Sequence, residues 1–179
     1  MDNNKPEESF KDRQRRNKEP LQYTLYKGMS GKFGAMRLNL KKAYQDTRRD
    51  KNNGCVFLEM APATGPNIYD WENSKIIMAL SITDIPKFIL YLRAPSHPLF
   101  KKNDALKIYH DRGAGTNDKG KDTTALKLTK PADRDNIFLT AYQSRNGVSK
   151  EATVTIAPDE AVAMGTLLQA AIPLIVAWN

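Results

Sequence analysis

One arrangement occurs twice along this chain and accounts for nearly all of it. Segments that alternate apolar and polar residues lead into a stretch with apolar residues at helical spacing. The first copy closes in MALSITDIPKFILYL (Met78 to Leu92) and the second in TVTIAPDEAVAMGTLL (Thr153 to Leu168). The spacing, roughly 75 residues, is too long for a solenoid repeat. The chain therefore reads as two strands-then-helix units, about 21–94 and 104–178, within a single domain over 21–179. The order predicts an α+β fold of two ββββα units, each an antiparallel four-stranded sheet with helices on one face. The opposite face of each sheet must meet solvent or a partner, so its chemistry carries the functional question.

The alternation assigns residues to faces. Leu21, Tyr23 and Leu25 share one strand face. Met36, Leu38 and Leu40 share another, opposite Arg37, Asn39 and Lys41. Val56, Leu58 and Met60 alternate with Phe57 and Glu59, and Asn53-Gly54 before them is a hairpin signal. Ile76, Met78 and Leu80 form a fourth strand. A helix is expected from about Thr83, with Ser81 or Thr83 as N-cap and Pro86 in its first turn. In the second unit Leu106 and Ile108 oppose Lys107 and Tyr109, Leu126 and Leu128 flank Lys127, and Ile137 and Leu139 alternate with Phe138. Pro158, Asp159 and Glu160 open the last helix, where acids suit the dipole. Its later half, LLQAAIPLIVAW, is apolar nearly all round. That predicts burial on more than one side, with a subunit interface through Leu168, Ala171, Ile172, Leu174, Ile175 and Trp178.

Composition narrows the partner. Lys+Arg number 28 against 20 Asp+Glu, a formal charge of +8 that favours a polyanion. The lone Cys55 rules out a disulfide framework and a cysteine-rich metal site, so neither metal nor cofactor is expected. No apolar run reaches the roughly 18 residues needed to cross a bilayer. The first 20 residues form a polar arm, basic in its second half (Lys11, Arg13, Arg15, Arg16, Lys18), which reads either as a solvated tail or as a tether for phosphates. It has no secretory apolar core, and its acids argue against an organellar transit peptide, so a cytoplasmic location is expected.

Catalytic readings fare poorly. Gly115, four residues, then Gly120-Lys121 imitates a phosphate-binding loop, but Asp122 stands where Ser or Thr would hold magnesium. The adjoining stretch, TTALKLT, alternates like a strand, where a phosphate loop requires a helix. His97 lies in a proline-rich loop, and His110 precedes Asp111 at a strand end, where pairing or capping explains it. The expectation is a protein without enzymatic activity. What remains is the polar strand face: Arg37, Asn39, Lys41, Phe57, Lys75, Lys107, Tyr109, Lys127, Phe138 and Tyr142, with Trp71 close by. Cations interleaved with rings suit single-stranded nucleic acid, because charges track phosphates while unpaired bases stack for about 1–3 kcal/mol each.

The stretch from Gly54 to Leu92 resembles the Whirly family of single-stranded-DNA-binding proteins. The likeness lies in a strand followed by A-P-x-x-G, then Tyr69-Asp70-Trp71, a further strand, and Ser81-Ile82-Thr83-Asp84-Ile85 entering the helix. Ile108 to Asp111 before a glycine-rich loop, and a final helix with Pro173 and a terminal Trp, extend it over roughly residues 21 to 178. The family's K-G-K-A-A-L motif is spread out here, with Lys27 and Lys32 as counterparts of its two lysines. The resemblance implies a fold shared with the transcription coactivator called positive cofactor four, a homotetramer with larger assemblies open, and binding of single-stranded DNA in recombination, repair, replication or transcription. The missing organelle-type leader leads us to expect a bacterial or phage version. Two other readings stay open: an RNA-binding protein of the guide-RNA-binding type, and an oligomeric scaffold that docks an acidic protein.

Overall fold

The structure, a computed structural model, describes residues 21–27, 31–42, 54–100 and 105–176. The expected arm over 1–20, Asn53 of the expected hairpin and Trp178 of the expected interface lie outside these residues. In chain order the elements are β1 (Leu21–Tyr26), β2 (Ala35–Lys41), β3 (Cys55–Ala61), β4 (Ala63–Gly65), β5 (Ile68–Tyr69), β6 (Ile76–Leu80), α1 (Ile85–Arg93), a single 3-10 turn (Pro98–Phe100), β7 (Ala105–Asp111), β8 (Asp122–Thr129), β9 (Ile137–Arg145), β10 (Val148–Ile156) and α2 (Pro158–Ile175). Two antiparallel four-stranded sheets result, ordered β1-β2-β3-β6 and β10-β9-β8-β7, with β4 and β5 as a small separate hairpin. The duplication is thus real at the level of architecture.

Period-two patterning produces each sheet. Leu25, Met36, Leu38, Val56, Leu58, Met60, Ile76, Met78 and Leu80 are buried on one face of the first sheet. Leu106, Ile108, Leu126, Leu128, Leu139, Val154 and Ile156 are buried on one face of the second. All of them belong to one continuous core with Phe88, Ile89 and Leu92 of α1 and Met164, Leu168 and Ile175 of α2. Each inner face is therefore covered by the other unit as well as by helices, an arrangement more intertwined than two separately covered sheets. Backbone bonds tie the units: the Gly34 N–H donates to the Thr153 carbonyl of edge strand β10 (2.8 Å), and Gly54 N–H to the Ile175 carbonyl at the end of α2 (2.8 Å).

The helix starts reflect local chemistry. Ser81 Oγ accepts the Thr83 N–H (3.3 Å) while the Ser81 N–H donates to Asp84 Oδ2 (2.9 Å), a reciprocal arrangement of capping-box type just before α1. His110 from β7 reaches the same Asp84 oxygen at 3.2 Å, so the pairing expected of that histidine joins the second sheet to the start of α1. At α2 the Glu160 carboxylate accepts the Ala157 N–H (2.7 Å).

Leu168, Ala171 and Ile175, expected at a subunit interface, are instead 1%, 5% and 1% exposed within the single chain. Their stripe faces the protein's own sheets, so they have almost no surface to offer a second copy. Ile172 is half-buried against the core. Of the expected set Leu174 is exposed, joined on the outward side of α2 by Val162 and Leu167, which the sequence reading did not single out.

Candidate nucleic-acid interface

The polar strand face expected from the sequence exists as two surfaces, one per sheet, and they differ in access. On the first sheet the register places Thr24, Arg37, Glu59 and Ile77 in one row and Gln22, Asn39, Phe57 and Ala79 in the next. The chain between β3 and β6 folds back over this surface. Tyr69 of β5 meets Tyr26 of β1 with ring centroids 5.4 Å apart. Trp71 lies against Arg37, whose guanidinium carbon is 4.0 Å from the indole centroid, a cation–π contact. Beneath this cover Arg37 Nε and Asn39 Oδ1 are buried without a hydrogen-bond partner among the described residues. Phe57 is half-buried, and Lys75 pairs with Glu59 at 3.6 Å.

The turn that carries Trp71 is built on Asp70. Its carboxylate accepts Ser74 Oγ–H (2.6 Å) and Asn73 N–H (2.8 Å). The Ser74 hydroxyl, then the Asn73 amide, hold the Asp70 carboxyl below its ordinary pKa. Burial pushes the Cys55 thiol up, partly offset by Lys41, which makes it poorly reactive.

Two lysines of the spread-out motif separate. Lys32 is exposed beside the start of β2. Lys27, a counterpart of the family's motif lysine, meets Glu160 at the start of α2 at 2.5 Å, with both side chains mostly buried. An ammonium held this way serves the junction between β1 and the last helix. Tyr23 nearby has its pKa raised, first by burial and then by Glu160 and Asp159.

On the second sheet the outward rows lie open. Lys107 and Lys127 are direct cross-strand partners, with Thr140 and Thr153 next in the same row. The neighbouring row runs Tyr109, Ala125, Tyr142 and Glu151. Both lysines are exposed, and no carboxylate of the described residues pairs with either. Tyr109 is 61% and Tyr142 39% exposed. Phe138, expected as a stacking residue, is half-buried and already has neighbours: Phe33 from before β2 packs edge-on at 6.0 Å, and the Arg134 guanidinium lies 5.7 Å from its ring. Asn39, Lys41, Arg37, Phe57, Trp71 and Lys75 thus belong to one face, and Lys107, Tyr109, Lys127 and Tyr142 to the other.

The loop that imitates a phosphate site is a hairpin end. Asp111 accepts the N–H groups of Gly113 and Gly120 (both 2.9 Å), and β8 begins directly after it. The Gly113 and Gly120 amides are turned onto a carboxylate, which excludes a phosphate from the same place. Glu151 and Ala125 escaped the sequence reading. Their signal was present in the alternation, because Ala125 shares strand parity with Lys127 and Glu151 with Thr153, but only the register sets them beside the tyrosines.

Comparison with known proteins agrees with this fold. The Whirly transcription factor profile matches residues 25–167. The chain is similar to the chloroplastic single-stranded DNA-binding protein WHY1 of Solanum tuberosum, 25% identical over 128 residues, which cover 70% of this chain and 43% of that relative. It therefore spans less than half of that protein's length. Among solved structures, WHY3 from Arabidopsis thaliana superposes with a TM-score of 0.71 at 21% identity, covering 88% of this chain and 89% of that one. A guide-RNA-binding protein complex bound to its RNA superposes at 0.55 and 17% identity, covering 89% of this chain and 94% of that one. The Whirly relatives named are plant proteins, and the expectation of a bacterial or phage version finds no support among them. On its profile match over most of its length, with the paired four-stranded sheets of the described residues in accord, the chain belongs to the Whirly family.

Proposed function

We propose that this protein binds single-stranded DNA with little sequence preference, through the outer face of its second sheet and without catalysis. The observation that carries this is the Lys107–Lys127 pair. Like charges directly opposite one another destabilise a sheet. Two exposed lysines in that relation, with no acid of the described residues to offset them, are accounted for by an anionic ligand laid across the strands. The exposed rings of Tyr109 and Tyr142, one row away, supply stacking that a duplex cannot use, because its base faces are hidden. Membership of a family whose potato relative is named for single-stranded DNA binding supports the same reading.

The assembly that fits best is a homotetramer. Leu167 and Leu174 of α2 line an apolar groove of about 290 Å³ with Tyr23, Leu38, Leu40 and Val56, which a second copy would cover. Roles in recombination, repair or transcription are consistent with such binding, as is a cytoplasmic or organellar setting where single strands occur.

Titration of a labelled oligonucleotide at several salt concentrations tests the reading. The log–log slope should fall near −0.7 per phosphate neutralised on a single strand. Single-stranded DNA should win over duplex. Matched RNA in competition reports whether the 2′-hydroxyl matters. A flat salt response, or equal binding of duplex, defeats the proposal.

A further inference from the structure

Beside the tyrosines the outer face of the second sheet holds a depression of about 340 Å³, whose lining includes Thr123, Ala125, Tyr142, Ser144, Ser149 and Glu151. The register orders these groups. Thr123, Ser144 and Ser149 form a row of hydroxyls across β8, β9 and β10, and Ala125, Tyr142 and Glu151 form the adjoining row. The Tyr142 ring is thus a wall with a methyl group on one flank and a carboxylate on the other. A flat base laid on that wall, above the hydroxyl row, turns one edge toward β10, where Glu151 stands. The lysine pair lies one row beyond the tyrosines, about 7 Å along the strands at roughly 3.4 Å per residue. That separation suits a base and a phosphate of the same stretch of backbone.

Glu151 is otherwise out of place. Two carboxylates project from the strands of this face, Asp111 and Glu151. Asp111 is occupied by the loop amides of Gly113 and Gly120. Glu151 is exposed and has no hydrogen bond or ion pair among the described residues. Neighbouring Lys150 gives its ammonium to the Asn73 carbonyl of the first unit. A bare carboxylate repels phosphate and can only accept hydrogen bonds. A base can offer it an exocyclic amino group, as carboxylates accept from cytosine N4. Thymine and uracil present a carbonyl at that position, and their one donor, the ring N3–H, sits between two carbonyl oxygens that repel a carboxylate.

Resting on the binding reading above, we propose that this depression is a base-selective subsite. It seats one base bearing an exocyclic amino group, stacked on Tyr142 and read by Glu151, and it disfavours thymine and uracil. The outcome is a compositional preference at one position, layered on charge-driven binding.

Fluorescence anisotropy with equal-length oligo-dC and oligo-dT at one salt concentration tests this, using wild type, Glu151→Gln and the double variant Lys107→Ala/Lys127→Ala, each confirmed folded by its thermal transition. The two pyrimidines are alike in size, so stacking differs little between them. Wild type should bind oligo-dC about fivefold tighter than oligo-dT, within the range one good base contact confers. Glu151→Gln should bring that ratio close to one, because an amide both donates and accepts. The lysine variant should weaken both oligomers and preserve the ratio. Equal affinities for the two oligomers in wild type, or a ratio that Glu151→Gln leaves unmoved, overturns the subsite while salt-dependent binding stands. Loss of all single-strand binding in wild type overturns the binding reading and the subsite together.

Discussion

The two sheets descend from one plan, have the same strand number and bury the same kind of inner face, yet their outer faces have diverged. The first carries Arg37, Asn39, Phe57 and Lys75, a set that on paper suits nucleic acid as well as the second. Its own β4–β5 hairpin and the Tyr69-Asp70-Trp71 turn occupy the surface: Trp71 takes the face of Arg37, and Glu59 takes Lys75. The corresponding connection of the second sheet, β9–β10, is only the tight Asn146-Gly147 turn, both residues at positive φ (50° and 77°). Its cations and rings stay uncovered. In this fold the length of one connection decides whether a sheet face is a binding surface or part of the scaffold.

Breaking the junction between the sheets should have the largest effect. A Cβ at Gly34 would lie 2.1 Å from the Ala61 carbonyl oxygen, an overlap only backbone movement could relieve, and movement there strains the Gly34–Thr153 hydrogen bond. Gly34→Ala should destabilise the fold by about 3 kcal/mol, measured by denaturant unfolding. A variant as stable as wild type would mean the units are not coupled at this point.

Removing the open lysines comes next. Lys107→Ala/Lys127→Ala should reduce the log–log salt slope by about 1.4, two phosphates at roughly 0.7 each. Lys75→Ala should leave the slope unchanged, because Glu59 already engages that ammonium. Should Lys75→Ala move the slope as much, the distinction between the two faces fails. Lys127→Thr should also raise the stability of the free protein by a few tenths of a kcal/mol by relieving the like-charge pair.

Rings provide a finer comparison. Tyr142→Ala or Tyr109→Ala should each weaken single-strand binding by about 1–3 kcal/mol with little loss of stability. Trp71→Ala should do the reverse, with a stability loss of about 1 kcal/mol from the cation–π contact and unchanged affinity. Equilibrium binding and thermal melts on the same three variants separate these outcomes.

The smallest expected effect is an acid response confined to the first sheet. Asp70 has its carboxyl held low by Ser74 and Asn73, so the stability it contributes is present above the ordinary aspartate range and is lost as pH falls through its depressed value. Trp71 fluorescence, monitored in a Trp178→Phe background, should change at pH below that range before the global transition. A signal that moves only with global unfolding would detach the turn from Asp70.

Alternation at Met36-Leu38, Val56-Leu58-Met60, Leu126-Leu128 and Val154-Ile156 determined the strands and their inner faces, because a period of two leaves no choice about which side chains meet a core. Pro86 and the Pro158-Asp159-Glu160 run placed the helix starts through chemistry confined to a few residues, while the N-cap of α1 is Asp84 and not Ser81 or Thr83. The apolar run of α2 predicted burial but not by what: Leu168 and Ala171 proved to face the chain's own sheets, and one-dimensional hydrophobicity carries no address. The same limit applied to the polar side. Phe138, Arg37 and Lys75 have the right residue types for a binding face, yet Phe33, Trp71 and Glu59 occupy them, each brought there by another segment of chain. Local periodicity settled which way each side chain points; which of the outward ones stay free depended on segments distant in sequence, and only packing in three dimensions brings those together.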